Sequence, residues 1–120
     1  MRKLTFIAYF LLIISCNKKN DIIESVNTGQ VFGEKFDNKS LRDSLAKKAI
    51  YSNDTLAYKE LKGIYYLSGN TNEFLYYALL MFNRNNYKSS ANDIYFILNR
   101  TKMDKKTDNF ASDYLKKSKE

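Results

Sequence analysis

From residue 40 to residue 118, apolar side chains recur every three or four positions, and short polar stretches interrupt the pattern. Leu41, Leu45 and Ala49 form one such stripe. This spacing puts apolar residues on one face of an α-helix, whereas a half-buried strand needs alternation at every second residue. The chain has no proline, which also favours helices over a turn-rich β-sandwich. The sequence therefore predicts an all-α fold.

Break and cap signals divide this region into five predicted helices. Ser40 and Asp43 fit a capping box at the start of the first helix. The Asn-Asp-Thr sequence at 53–55 ends that helix and caps the second, and Gly69 suits the left-handed position that closes the second. Short polar turns between helices of about 10–15 residues predict antiparallel neighbours.

The predicted helices are related by a repeat. Ala57 and Ala91 stand 34 residues apart, and each opens a helix with an apolar residue four positions later. Ala46 and Leu80 show the same offset. A period of this length built from helix pairs is typical of a helical solenoid. A plain five-helix bundle with chance periodicity is the alternative.

Three segments of the chain resemble tetratricopeptide repeats, especially their Sel-like branch. Residues 46–58 and 86–91 look like the helix-turn-helix corner of that family, and residues 111–118 resemble its second-helix motif. The leucine-glycine pair of the family appears only at 61–63, one residue out of step. The resemblance implies a short α-α solenoid of about two and a half repeats, or five helices, over residues 38–120.

The first sixteen residues have a separate role. A basic start at 1–3 precedes an almost wholly apolar run at 4–14, and then come Ser15 and Cys16. This is the pattern of a secretory signal, and the run is short of the roughly 20 residues that a spanning helix needs. A cysteine directly after a small residue resembles the lipobox of bacterial lipoproteins. The resemblance implies removal of residues 1–15 and acylation of Cys16, with palmitate among the chains. A buried free thiol and an uncleaved anchor are the alternatives.

The predicted organisation is a signal peptide at 1–15, a lipidated cysteine and flexible tether at 16–37, and a helical-repeat domain at 38–120. The only cysteine would be acylated, so no disulfide forms within the chain. Asn17 is not the aspartate that retains some lipoproteins at the inner membrane. The resemblance therefore favours a lipid-anchored protein of the cell envelope, at the outer membrane.

Composition argues against an enzyme. The chain has no histidine, so it lacks the usual general base and the commonest metal ligand. No glycine-rich phosphate loop occurs. Asp54 with Glu60, and Asp104 with Asp108, could act as paired carboxylates, but they suit helix starts and loops. We expect no catalytic residue, no cofactor and no metal.

Charge does not indicate a nucleic-acid partner. The formal net charge of +7 falls to +5 when Arg2 and Lys3 leave with the signal, and the excess is spread over separated lysine pairs. Membrane lipid is contacted through the acylated Cys16, with weak attraction to anionic headgroups as a minor addition. The expected partner is an unidentified protein.

The abundant tyrosines of the repeat region are either core residues or contacts with that protein. The resemblance implies binding on the concave face, which the first helix of each repeat lines. Aromatic and polar residues recur at matching offsets on the second and fourth predicted helices. The candidate partner-binding residues are Tyr58, Lys62, Tyr65, Tyr66, Asn92, Tyr95 and Asn99.

The leading hypothesis is thus an envelope lipoprotein that acts as a helical-repeat interaction module. Three alternatives stay open: an immunity-type lipoprotein that neutralises a toxin, a hydrolase acting through carboxylates, and a truncated remnant of a longer repeat protein. The last follows from the stop at Glu120, where a further helix would cover the final one.

Overall fold

The computed structural model describes residues 27–101 and 105–120. The predictions on the signal peptide, on Cys16 and on the first part of the tether lie outside these ranges. The predicted all-α class is confirmed: within the described ranges there are α-helices, one short 3-10 helix and no strand. None of these helices is long and apolar enough to span a membrane. The elements are α1 (Thr28–Asp37), α2 (Lys39–Ser52), α3 (Thr55–Leu67), a 3-10 turn (Thr71–Phe74), α4 (Leu75–Asn85), α5 (Ser90–Arg100) and α6 (Lys105–Lys119).

The first described helix begins at Thr28, before the predicted domain boundary of 38. The side chain of Asn27 starts α1 by accepting a hydrogen bond from the backbone N–H of Gly29, at 3.0 Å. Phe32 and Phe36 of α1 are half-buried against the core. Phe36 meets the ring of Tyr65 on α3 edge-on, with centroids 5.2 Å apart. Residues 28–37 therefore belong to the domain and not to a tether, because their apolar side chains pack on α3.

The predicted capping box at Ser40 is replaced by a cap two residues earlier. The side chain of Asn38 accepts from the N–H of Leu41 at 3.0 Å. Asp43 instead pairs with Lys39 on the exposed face, and that hydrogen bond holds the pKa of Asp43 below its usual value. The predicted cap of α3 is confirmed, since Asp54 accepts from two first-turn amides.

The structural period is 33 residues, one shorter than the sequence predicts. Asn53 ends α2 and Asn86 ends α4, both in the left-handed conformation with φ of 53° and 52°. Leu45, Ala78 and Ala111 are buried at successive steps of 33 on α2, α4 and α6. Each asparagine reverses the chain and fixes the rotation of the helix that follows.

The pairing of Ala57 with Ala91 is therefore wrong by one residue. Ala57 corresponds to Ser90, and both are buried. The same step relates the buried Tyr58 to Ala91, and Leu61 to Ile94. Ala57 and Tyr58 are both buried. A shift of one residue in the repeat therefore still matches Ala91 with a core position.

The helices pack as successive pairs. α2 packs on α3, the 3-10 turn packs on α3 and α4, and α5 packs on α4 and α6. α1 lies against α3, and α2 lies against α4. In the described part of the chain, two complete pairs are thus flanked by a single helix at each end, where the sequence predicted five helices. Small buried residues such as Ala78 and Ala111 let helix axes approach closely.

Polar links hold neighbouring pairs in register. The side-chain amide of Asn85 donates to the backbone carbonyls of Ala49 and Ile50, at 3.2 and 3.0 Å. It thereby satisfies two of the carbonyls left open at the end of α2. On the other side of α4, Asn83 donates to the hydroxyl of Tyr114 on α6, at 3.3 Å.

Candidate functional site

α3 and α5 are joined by a charged network at the centre of the molecule. The hydroxyl of Tyr58, on a side chain only 1% exposed, donates to Oδ2 of Asp93 at 2.8 Å. Lys62, one turn further along α3, forms an ion pair with the other carboxylate oxygen. The side chain of Asp93 is 9% exposed and that of Lys62 is 37% exposed. Burial, with the carboxylate of Asp93 adding to it, raises the pKa of Tyr58 far above its usual value.

An aromatic stack continues this network toward the end of α3. Tyr66 lies nearly parallel to Phe96 of α5, with ring centroids 5.7 Å apart and 19° between the planes. The ammonium of Lys62 lies 5.1 Å from the Tyr66 ring centroid, close enough for a cation–π contact. Although Phe96 stacks on Tyr66, it remains 45% exposed.

The hydroxyl of Tyr66 has no hydrogen-bond partner although it is buried. Its desolvation, and the negative charge of Asp93, raise the pKa of Tyr66, while the positive charge of Arg100 opposes that rise. Arg100 itself lies over the Phe96 ring, 5.4 Å from its centroid. Its guanidinium forms no hydrogen bond or ion pair with any residue that the structure describes.

Tyr66 and Arg100 line one wall of a cleft of about 350 Å³, and residues 69–73 form the rest. The loop is ordered by Gly69, whose φ of 84° confirms the predicted left-handed position, and by Asn70, whose side chain donates to Ser68 Oγ at 3.0 Å. We call this space the Tyr66 cleft. Its walls belong to packed helices and a tight turn, so it is formed before any ligand arrives.

Two of the predicted contact residues belong to the core, which corrects the prediction. Tyr58 is 1% exposed and Tyr65 is 3% exposed. The ring of each packs on Phe74 of the 3-10 turn and on a second aromatic ring, which is Tyr87 for Tyr58 and Phe36 for Tyr65. The Tyr65 hydroxyl accepts from Arg42 at 3.2 Å and donates to Tyr77 at 3.3 Å. Neither tyrosine presents a surface to a partner.

Three of the other predicted residues lie together. Lys62, Tyr66 and Asn92 lie at the junction of α3 and α5, where Asn92 and Lys62 line a second, smaller cleft of about 300 Å³. Tyr95 is half-buried and Asn99 is exposed. At the 33-residue period these two correspond to Lys62 and Tyr66.

Three residues of this junction were not predicted from the sequence: Asp93, Phe96 and Arg100. An acid in the first turn of a helix, such as Asp93, ordinarily serves the start of that helix. Its partners Tyr58 and Lys62 are more than thirty residues away, and only the folded structure reveals these contacts. Phe96 and Arg100 stand four residues apart, so they are neighbours on the surface of one helix. This spacing is the sequence signal that could have predicted their contact.

The groups at the α3–α5 junction are ones that can hold a ligand. No group of three or more potential metal ligands occurs among the described residues. The chain shows no significant match to a known protein family, to a curated protein or to a solved structure. The junction offers an exposed aromatic ring, a guanidinium that pairs with no anion among the described residues, and a preformed cleft.

Proposed function

We propose that this chain is a small lipoprotein of the bacterial envelope whose helical repeats bind another protein through the α3–α5 face. This face consists of Lys62, Tyr66, Asn92, Phe96 and Arg100. The observation that carries the proposal is the exposed Phe96, backed by Tyr66 and bordered by Arg100. Aromatic and arginine side chains on rigid elements dominate the energetics of protein interfaces.

The anchor is the second part of the proposal, and the sequence pattern supports it. Residues 1–16 combine a basic start, an apolar run and a cysteine after a small residue. A cysteine acylated with more than one chain holds a protein stably at a membrane, which a single chain does not. Asn17 favours the outer membrane. Only a short length of chain then separates the lipid-anchored Cys16 from α1, the first described helix.

The interface is tested by crosslinking in cells and recovery of the chain with its partner from membranes. Phe96→Ala removes the exposed ring, and we expect recovery of the partner to fall roughly 30-fold, as for a central interface residue. Tyr76→Ala is the matched control, because Tyr76 is an aromatic residue 63% exposed on α4. Equal recovery with both variants, each with unchanged helical circular dichroism, would refute the choice of face.

The anchor is tested by intact mass spectrometry of the membrane-extracted protein. We expect a chain that begins at Cys16 and carries acyl chains, and a Cys16→Ala variant that leaves the membrane fraction or keeps residues 1–15. A native chain that retains residues 1–15 with an unmodified thiol would exclude the lipoprotein assignment while leaving the interface untouched.

A further inference from the structure

Among the residues that the structure describes, the buried tyrosine hydroxyls are satisfied with one exception. Tyr58 donates to Asp93, Tyr65 bonds to Tyr77, and Tyr114 accepts from Asn83. Tyr66 alone among them has a buried hydroxyl without a partner. Buried polar atoms in folded proteins are normally hydrogen-bonded, so an exception marks a place where a ligand atom or a water completes the bond. Tyr66 is one of the residues that line the Tyr66 cleft.

Arg100 supplies a positive charge at the same cleft. Its guanidinium is held over the Phe96 ring and has no anionic partner in the described part of the chain. Its charge acts directly on the Tyr66 hydroxyl. A planar guanidinium with several N–H donors matches the two oxygens of a carboxylate. A phenol donor beside it adds a further hydrogen bond to the same anion.

We propose that the Tyr66 cleft receives a carboxylate side chain from an acidic segment of the partner protein, bound by Arg100 and by the Tyr66 hydroxyl. The inference rests on the proposed function, because it names the chemistry of the partner at the α3–α5 face. The cleft volume of about 350 Å³ and the open side at Gly69, where an added Cβ would meet nothing within 4 Å, leave room for one side chain and its backbone.

Glu73 makes a peptide a better occupant than a phosphate group or a lipid headgroup. It lies in the first turn of the 3-10 helix and lines the same cleft. One arginine and one glutamate leave no net charge to hold a doubly charged phosphate. A peptide carries N–H donors next to its carboxylate, and Glu73 can accept from them while Arg100 holds the acid. Arg100 is therefore the donor to the carboxylate of an acidic peptide, and Glu73 is the acceptor for its N–H groups.

The test uses the full chain in detergent micelles, observed through its backbone amide resonances. The probe is a blocked tripeptide with a central glutamate, and the control probe has glutamine in its place. We expect the glutamate peptide to shift resonances of Tyr66, of residues 69–73 and of Arg100 in a saturable way, and the glutamine peptide to bind at least tenfold more weakly. No saturable shift at these residues would overturn the proposal.

Two variants separate recognition from folding. Tyr66→Phe removes only the hydroxyl, which bonds to nothing in the domain, so the fold is kept while binding of the glutamate peptide falls about tenfold. Arg100→Gln lowers it at least as much. Binding that is unchanged in both variants would overturn the proposal. Saturation by vesicles of anionic phosphatidylglycerol, with none by the peptide, would overturn it in favour of a lipid site.

The same variants distinguish this inference from the function on which it rests. If Phe96→Ala abolishes recovery of the partner while Tyr66→Phe and Arg100→Gln leave recovery intact, the interface stands and the carboxylate site is wrong. If Phe96→Ala leaves recovery intact, the α3–α5 face is wrong regardless of the result with the tripeptide.

Discussion

The network of Tyr58, Lys62 and Asp93 makes a quantitative prediction about how α3 and α5 are held together. Asp93→Ala removes the carboxylate and leaves the Tyr58 hydroxyl buried without an acceptor. Loss of such a partner costs about 1–3 kcal/mol. Lys62 is partly exposed and can turn to water, so its lost ion pair adds about 0–1 kcal/mol. We expect a total destabilisation of about 1–4 kcal/mol.

Tyr58→Phe perturbs the same bond from the other side. Asp93 keeps its ion pair with Lys62 and loses one hydrogen bond to a charged acceptor, which costs about 1.5–3 kcal/mol. The double variant leaves neither an orphaned hydroxyl nor a carboxylate. Its cost should fall short of the sum of the single variants by about 1–2 kcal/mol, as for residues in direct contact.

The assay is urea unfolding followed by helical circular dichroism. A domain of this size has a total stability of about 5–14 kcal/mol, so each single variant stays folded and measurable. Asp113→Ala, at an exposed carboxylate on α6, is the control and should change stability by less than about 0.5 kcal/mol. Additivity of the two changes within about 0.3 kcal/mol would refute the idea that Tyr58 and Asp93 act as one unit.

Three further predictions test the corner, the core and the response to pH. Asn53→Ala, at a φ of 53°, should cost about 1–2 kcal/mol in urea unfolding while Asn53→Gly costs little. Ala111→Leu should lower stability by about 1–3 kcal/mol through overpacking, whereas Ser112→Leu on the exposed side of α6 should stay within about 0.5 kcal/mol. Because burial raises the pKa of Tyr58, the stability due to its protonated form is complete below about pH 10. It is lost as pH rises further, by about 1.4 kcal/mol per unit. Because the pKa values of Tyr66 and Tyr77 are also raised, Tyr58→Phe should make the alkaline decline in urea unfolding less steep by that amount rather than abolish it.

The helical content and most helix ends follow from local signals in the sequence. Apolar spacing located the helices after residue 40, and Asp54 and Gly69 behave as their residue types predict. α1 was not predicted, because it contains Gly29 and Gly33 and glycine has a low helix propensity. Its stability comes from packing on α3, and a tertiary contact of this kind leaves little trace in local propensity.

The candidate site was less predictable, because it depends on how one helix is rotated against another. A one-residue error in the repeat moves each side chain by about 100° around its helix. That rotation decides that Tyr58 points into the core and that Lys62 points to α5. Composition suggested tyrosines as contacts, but it could not show which of them find a partner inside the domain.

The 33-residue period also explains why the α3–α5 face occurs once in the described part of the chain. Lys62 of α3 pairs with Asp93 of α5, and Tyr66 of α3 stacks on Phe96 of α5. Tyr95, the counterpart of Lys62 on α5, carries no positive charge. The α3–α5 face is thus formed by this one pair of helices and is not copied in each repeat of the described chain. A partner that recognises Phe96 should bind with one copy per chain, which light scattering of the purified complex can measure.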